Sequence, residues 1–131
     1  MRSRYLASLN VSQLMSYMKL RGTNTENRIR SRLLESRKWL KTKDASSLRK
    51  VLDENDLGEC QFFVLSHLPE QLEDHYFLFD GKKLFVSVVI EHDPGIHPEV
   101  ESWESEEYTK SLRKQNAIEV MVARQIVDSE T

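Results

Sequence analysis

The chain has 131 residues, 39% of them apolar and 31% charged, with two tryptophans, one cysteine and a formal net charge of −2. That length suits one domain with a single core, and the composition excludes collagen-like chains and lies above the regime of intrinsic disorder. The longest apolar run, Leu84 to Ile90, is broken by Ser87 and falls far short of the ~20 residues of a bilayer span.

The first residues, Met1-Arg2-Ser3-Arg4-Tyr5, are basic, but Asn10, Ser12 and Gln13 interrupt the stretch behind them. No secretory signal is therefore expected, and the chain reads as cytoplasmic. The lone Cys60 fits a reducing compartment and excludes a cysteine-based zinc site. Its small, apolar character predicts a buried place at the start of a strand.

Charge is segregated along the chain. Residues 1–50 hold 13 basic and 3 acidic groups, a net +10, whereas residues 51–131 carry a net −12. Between 91 and 107 stand Glu91, Asp93, Glu99, Glu101, Glu104, Glu106 and Glu107, with no lysine or arginine. Either the two parts neutralise each other on folding, or one patch stays exposed and steers a partner of opposite charge.

The elements, in chain order, begin with a helix capped by Asn10, carrying Leu14, Met15 and Met18 and stopped at Gly22. Asn24 or Thr25 can cap a longer helix with Ile29, Leu33 and Leu40 on one face and Leu34 and Trp39 beside it. The other face of this segment, 26–43, is basic, with Arg28, Arg30, Arg32, Arg37, Lys38 and Lys41. Asp44 or Ser46 caps a third helix with Leu48, Val51 and Leu52, which Leu57-Gly58 closes. The period then changes. Gln61 to Leu68 reads as a strand bounded by Gly58 and Pro69. His75 to Phe79 and Lys83 to Ile90 flank the turn dipeptide Asp80-Gly81 and read as a hairpin. Neither face of the first arm is polar, which predicts a sheet covered on both sides. Asp93-Pro94-Gly95 and Pro98 mark a loop, and Ser105 with Glu106 and Glu107 marks a helix start. Residues 117–127 fit a strand by the alternation of Ile118, Val120, Val122 and Ile126, and a helix by Ile118, Met121, Val122 and Gln125.

Candidate chemistry is sparse. His92, Asp93 and His97, flanked by Glu91 and Glu99, are metal-binding residue types, but around Pro94 and Gly95 they lack a rigid frame, and no metal site is expected there. His75 with Asp74, near His67, is a residue pair capable of acid–base work that is equally common on ordinary surfaces. With no phosphate loop, nucleophile elbow or paired helical histidines, no catalytic residue and no cofactor is expected, and the chain reads as a non-enzyme.

The two charged patches carry the functional expectations. Carboxylates interleaved with aromatics suit a basic protein partner, with Glu99, Glu101, Glu104, Glu106 and Glu107 as the charges and Trp103 and Tyr108 as anchors. In size and charge this is similar to small inhibitors of nucleases, such as immunity proteins and antitoxins. That likeness is one of type and rests on no family motif, and it implies a nuclease toxin as the kind of partner. The alternative is a nucleic-acid-binding regulator using Arg28, Arg30, Arg32, Arg37 and Lys38, since three helices before a hairpin is also an order of winged-helix DNA binders. The expected architecture is a single α+β domain over 1–131, with N-terminal helices packed on a small, mainly antiparallel sheet. Residues 1–58 form its basic helical part and 59–131 its acidic, sheet-containing part.

Overall fold

The computed structural model describes residues 24–93, 95–104 and 114–130. The described elements are helix α1 (Asn24–Trp39), a 3-10 turn (Lys43–Ala45), helix α2 (Ser46–Glu54), strands β1 (Phe63–Pro69), β2 (Glu73–Phe79), β3 (Phe85–Glu91) and β4 (Glu99–Trp103), and helix α3 (Lys114–Ser129). The class is α+β, as expected, with helices preceding an antiparallel meander of order β1-β2-β3-β4. The helix expected from Asn10 to Gly22 and the helix start at Ser105 lie outside the described residues.

In α1 the expected apolar stripe is in place. Leu33 is fully buried, with Ile29 and Leu34 packed beside it. Just beyond the helix, Leu40 joins a second cluster together with Trp39. The Ser36 hydroxyl donates to the Leu33 carbonyl at 2.6 Å and accepts from the Val64 N–H at 3.0 Å, which ties α1 to β1. In α2, Leu48, Val51 and Leu52 are buried as expected.

The caps of α2 differ from expectation. Neither Asp44 nor Ser46 caps the helix: the 3-10 turn leads into it through Ala45. The Arg49 guanidinium instead satisfies the carbonyl of Leu40 at 2.7 Å, and also that of Thr42. The stop is at Asp56, in the left-handed region at φ 61. There the N–H of Leu57 bonds the Leu52 carbonyl at 2.8 Å and that of Asp56 the Asp53 carbonyl at 3.3 Å, the two bonds that close a helix C-terminus. Gly58 serves space instead, because a Cβ there would lie 1.8 Å from the Asp53 carboxylate. Cys60 is exposed in the segment before β1, three residues ahead of Phe63, so the strand does not bury it as expected.

The sheet is covered on both faces. On one side Phe63, Phe79, Phe85 and Trp103 form a continuous cross-strand row, packed with Leu33 and α3. The Phe79 and Phe85 rings stack with centroids 4.5 Å apart. On the other, Val64, Leu78, Val86, Tyr76 and Val88 pack on α2 and Leu40. A bulge at Leu65 breaks the β1–β2 ladder. The hairpin turn runs from Asp80 to Leu84, wider than the Asp80-Gly81 dipeptide alone. The Asp80 carboxylate accepts the N–H groups of Lys82, Lys83 and Leu84 at 2.8–3.0 Å, and the Asp80 N–H bonds the Leu84 carbonyl.

Residues 117–127 are helical. Ala117 to Ala123 are all buried, so the helix shows no polar face and its β-branched residues mimic strand alternation. Two charged side chains ride in this buried helix with partners. Glu119, 4% exposed, pairs with Arg32 of α1. Arg124 donates to the Lys82 carbonyl at 3.1 Å and lies over the Phe79 ring at 5.5 Å. Among the described residues no helix is long and apolar enough to cross a membrane.

Gly81 joins the turn to α3. It sits at φ 83, and a Cβ there would meet Val127 at 2.3 Å and the Phe63 ring at 3.0 Å. Gly81→Ala is therefore expected to cost at least about 2 kcal/mol through backbone strain and overpacking, read as a lower urea midpoint. An unchanged midpoint would contradict this packing.

Candidate functional site

The sheet has two unlike ends. Its helix-covered end holds the aromatic row, while the end formed by the β1–β2 turn and the β3–β4 loop emerges from the helices. Along β1 the change is abrupt: Phe63, Val64 and Leu65 are buried, and Ser66 to Pro69 are exposed. The β1–β2 turn is closed by the Glu70 N–H donating to the Glu73 carbonyl at 2.8 Å. Register then dictates what this loop end presents, because side chains alternate along each strand.

On the face that continues the aromatic row, Leu68, His75, Val89 and Glu99 stand in cross-strand order, with Glu73 directly opposite Glu91. His75 Nε2 lies 3.0 Å from Glu73 Oε1 and 3.7 Å from Glu70 Oε1. The Glu73 and Glu91 carboxyls face each other across the β2–β3 pair and can hydrogen-bond when one of them carries a proton. The hydrogen bonds from His75 and then Glu91 hold Glu73 below the usual glutamate range. Glu91 is pushed above it, first by the bond to Glu73, then by burial and by the charges of Glu73 and Glu99.

On the opposite face a different set assembles. Asp74 bridges two histidines, His67 Nε2 to one oxygen and His92 Nε2 to the other, both at 3.2 Å. His92 Nδ1 reaches the Gln71 carbonyl at 3.1 Å. The His67 ring lies flat on Tyr76, with centroids 4.3 Å apart, and Trp39 stands near both. The pairing weighed from sequence, Asp74 with His75, does not form, since neighbours along a strand point to opposite faces. The set His92, Asp93 and His97 does not converge either. His92 turns to Asp74, and the Asp93 carboxylate accepts the Gly95 N–H at 2.9 Å.

Of the residues expected to bind a partner, Glu99, Glu101 and Glu104 are exposed, on or just after β4, a strand that the acidic stretch did not reveal. Glu104 pairs with Lys83 at 3.4 Å. Trp103 is half-buried, packed against the core with its ring 6.4 Å from that of Phe77. Glu106, Glu107 and Tyr108 lie outside the described residues. The large apolar side chains exposed near this acidic end are Leu68 at 60%, Leu72 at 71% and Ile96 at 49%. Sequence reading passed over these three, and also Glu70 and Glu73. Counting the strands outward from the hairpin turn would have set Glu73 against Glu91 once its five-residue length was known.

The basic helix is largely committed within the fold. Arg30 bonds Gln125 at 3.1 Å and pairs with Glu26 at 3.6 Å. Arg32 pairs with Glu119. Arg37 makes a bidentate pair with Glu130 at 2.8 and 2.6 Å and lies over Phe63 at 4.9 Å. Lys38 meets Glu35 at 3.7 Å on the surface, and Arg28 is exposed.

Partial burial pushes the Asp74 carboxyl up, but hydrogen bonds from His67 and His92 outweigh it and hold the group below the usual aspartate range. A carboxyl depressed in the folded state contributes stability above its unfolded value, about 4, and loses it as pH falls through the folded value. Asp74→Asn is thus expected to lower the urea midpoint at neutral pH and to shrink the further loss as pH falls below about 4. Equal acid sensitivity in wild type and variant would contradict the bridge.

No protein-family model, no curated protein and no solved structure matches the chain, and its function is read from these residues.

Proposed function

We propose that the chain is a protein-binding module of the inhibitor or immunity type, which captures a basic protein such as a nuclease toxin on the acidic loop end of its sheet. The supporting observation is that Glu70, Glu73, Glu91, Glu99 and Glu101 gather there with no lysine or arginine pairing among the described residues. Glu73 and Glu91 even stand directly opposite, an arrangement that destabilises a sheet. A partner's arginine, forking two carboxylates, relieves that repulsion on binding.

Leu68, Leu72 and Ile96 supply apolar contact beside these charges, in keeping with an interface that has a desolvated centre and a polar rim. Trp103, packed in the core, lends rigidity to β4 in this reading while the leucines and Ile96 make the contact. The field of the carboxylates steers the encounter and makes it salt-sensitive. The rival nucleic-acid surface is weakened because Arg30, Arg32 and Arg37 are engaged with α3 and its C-terminal neighbour Glu130.

The test is capture from host lysate, with and without nuclease digestion, using wild type, Glu91→Lys/Glu99→Lys/Glu101→Lys and Arg28→Ala/Lys38→Ala. The expected result is one basic protein, retained after digestion and by the alanine variant, whose association slows about tenfold or more with the lysine variant and falls with salt. Retention unchanged by the lysine variant, or recovery of nucleic acid that needs Arg28 and Lys38, would overturn the reading.

A further inference from the structure

We propose that Glu70, Glu73 and His75 form a binding site for a first-row divalent transition-metal ion, with zinc the best fit. This goes beyond the capture of a protein partner and stands independently of it. The three donor atoms lie within 4.8 Å of one another, with His75 Nε2 at 3.0 Å from Glu73 Oε1 and 3.7 Å from Glu70 Oε1. An ion bonded to each donor at about 2 Å holds its ligands roughly 3–4 Å apart, so small side-chain rotations close the set on one ion.

The frame is backbone-fixed. Glu73 and His75 are two residues apart on β2 and so share one face of the sheet. Glu70 is held over that face by the turn bond from its own N–H to the Glu73 carbonyl, at 2.8 Å. Glu-x-x-Glu-x-His thus acts as a chelating segment only because the chain reverses at Gln71-Leu72.

A second feature of the register also favours a cation. β3 places Glu91 directly across from Glu73, so the metal-facing carboxylate already has an acidic neighbour, and Glu99 follows on β4 opposite Val89. A divalent charge offsets both. One imidazole with two carboxylates favours zinc or a neighbouring transition metal over magnesium and calcium, which prefer all-oxygen shells. Three protein ligands leave coordination positions open.

The experiment is calorimetric titration of zinc chloride into the full chain, stripped of metal, at neutral pH. It uses wild type, His75→Gln, Glu70→Gln and, as a control on the opposite face, Asp74→Asn. Urea midpoints of each variant establish that it is folded. One equivalent of zinc is expected to bind wild type saturably, with affinity tenfold or more weaker in His75→Gln and Glu70→Gln and within about twofold of wild type in Asp74→Asn. Absence of saturable one-to-one binding, or loss with Asp74→Asn but not with His75→Gln, would overturn the assignment. The second result would move the ion to His67, Asp74 and His92. Failure here leaves protein capture untouched, because that assay reads different variants.

Discussion

The register of the β2–β3 hairpin, set by the turn Asp80–Leu84, is the constraint on which the rest of the molecule depends. A slip of one residue would send every side chain of a strand to the other face. It would break the row Phe63, Phe79, Phe85 and Trp103 and part Glu73 from Glu91. The turn is pinned by one carboxylate, Asp80, accepting three backbone N–H groups. Gly81 fits it against Val127 of α3, so the same few residues position both the core and the acidic loop end.

Charge is distributed by that packing rather than by chain halves. The basic face of α1 turns partly onto the C-terminal helix, where Arg32 meets Glu119 and Arg30 meets Gln125, and Arg37 reaches Glu130 just beyond it. A buried carboxylate such as Glu119 requires this kind of partner, because an unpaired buried charge is strongly destabilising. The acidic groups of the sheet's loop end receive no such match among the described residues. The field that survives folding there is negative, and it sits on strands whose relative positions the backbone ladder fixes.

What was legible in the sequence was local. The helical stripe Ile29, Leu33 and Leu40, the strand at Phe63 and the hairpin around Asp80-Gly81 follow from periodicity and turn chemistry. What was not legible depends on tertiary context. Residues 117–127 gave no decisive period because that helix is buried over eight consecutive residues, Ala117 to Arg124. β4 was hidden because Glu99-Val100-Glu101-Ser102-Trp103 carries little apolar signal and becomes a strand by pairing with β3. The stop of α2 fell at Asp56 because aspartate tolerates a left-handed backbone, which made the nearby glycine a misleading marker. The acidic stretch itself was visible, but its partners Glu70 and Glu73, twenty residues upstream, meet it only through register, and Asp74 beside His75 was a neighbour in sequence alone.

The central claim is that the fold holds like charges opposed at the loop end, and the most direct test is the stability of Glu91→Gln. Urea unfolding of wild type and variant, at neutral pH with chelator, at low and at high salt, reads it. The account predicts a variant more stable than wild type, because the glutamine removes a charge and supplies an N–H donor toward Glu73, with the gain shrinking as salt screens the repulsion. A variant of equal or lower stability at low salt would contradict the account.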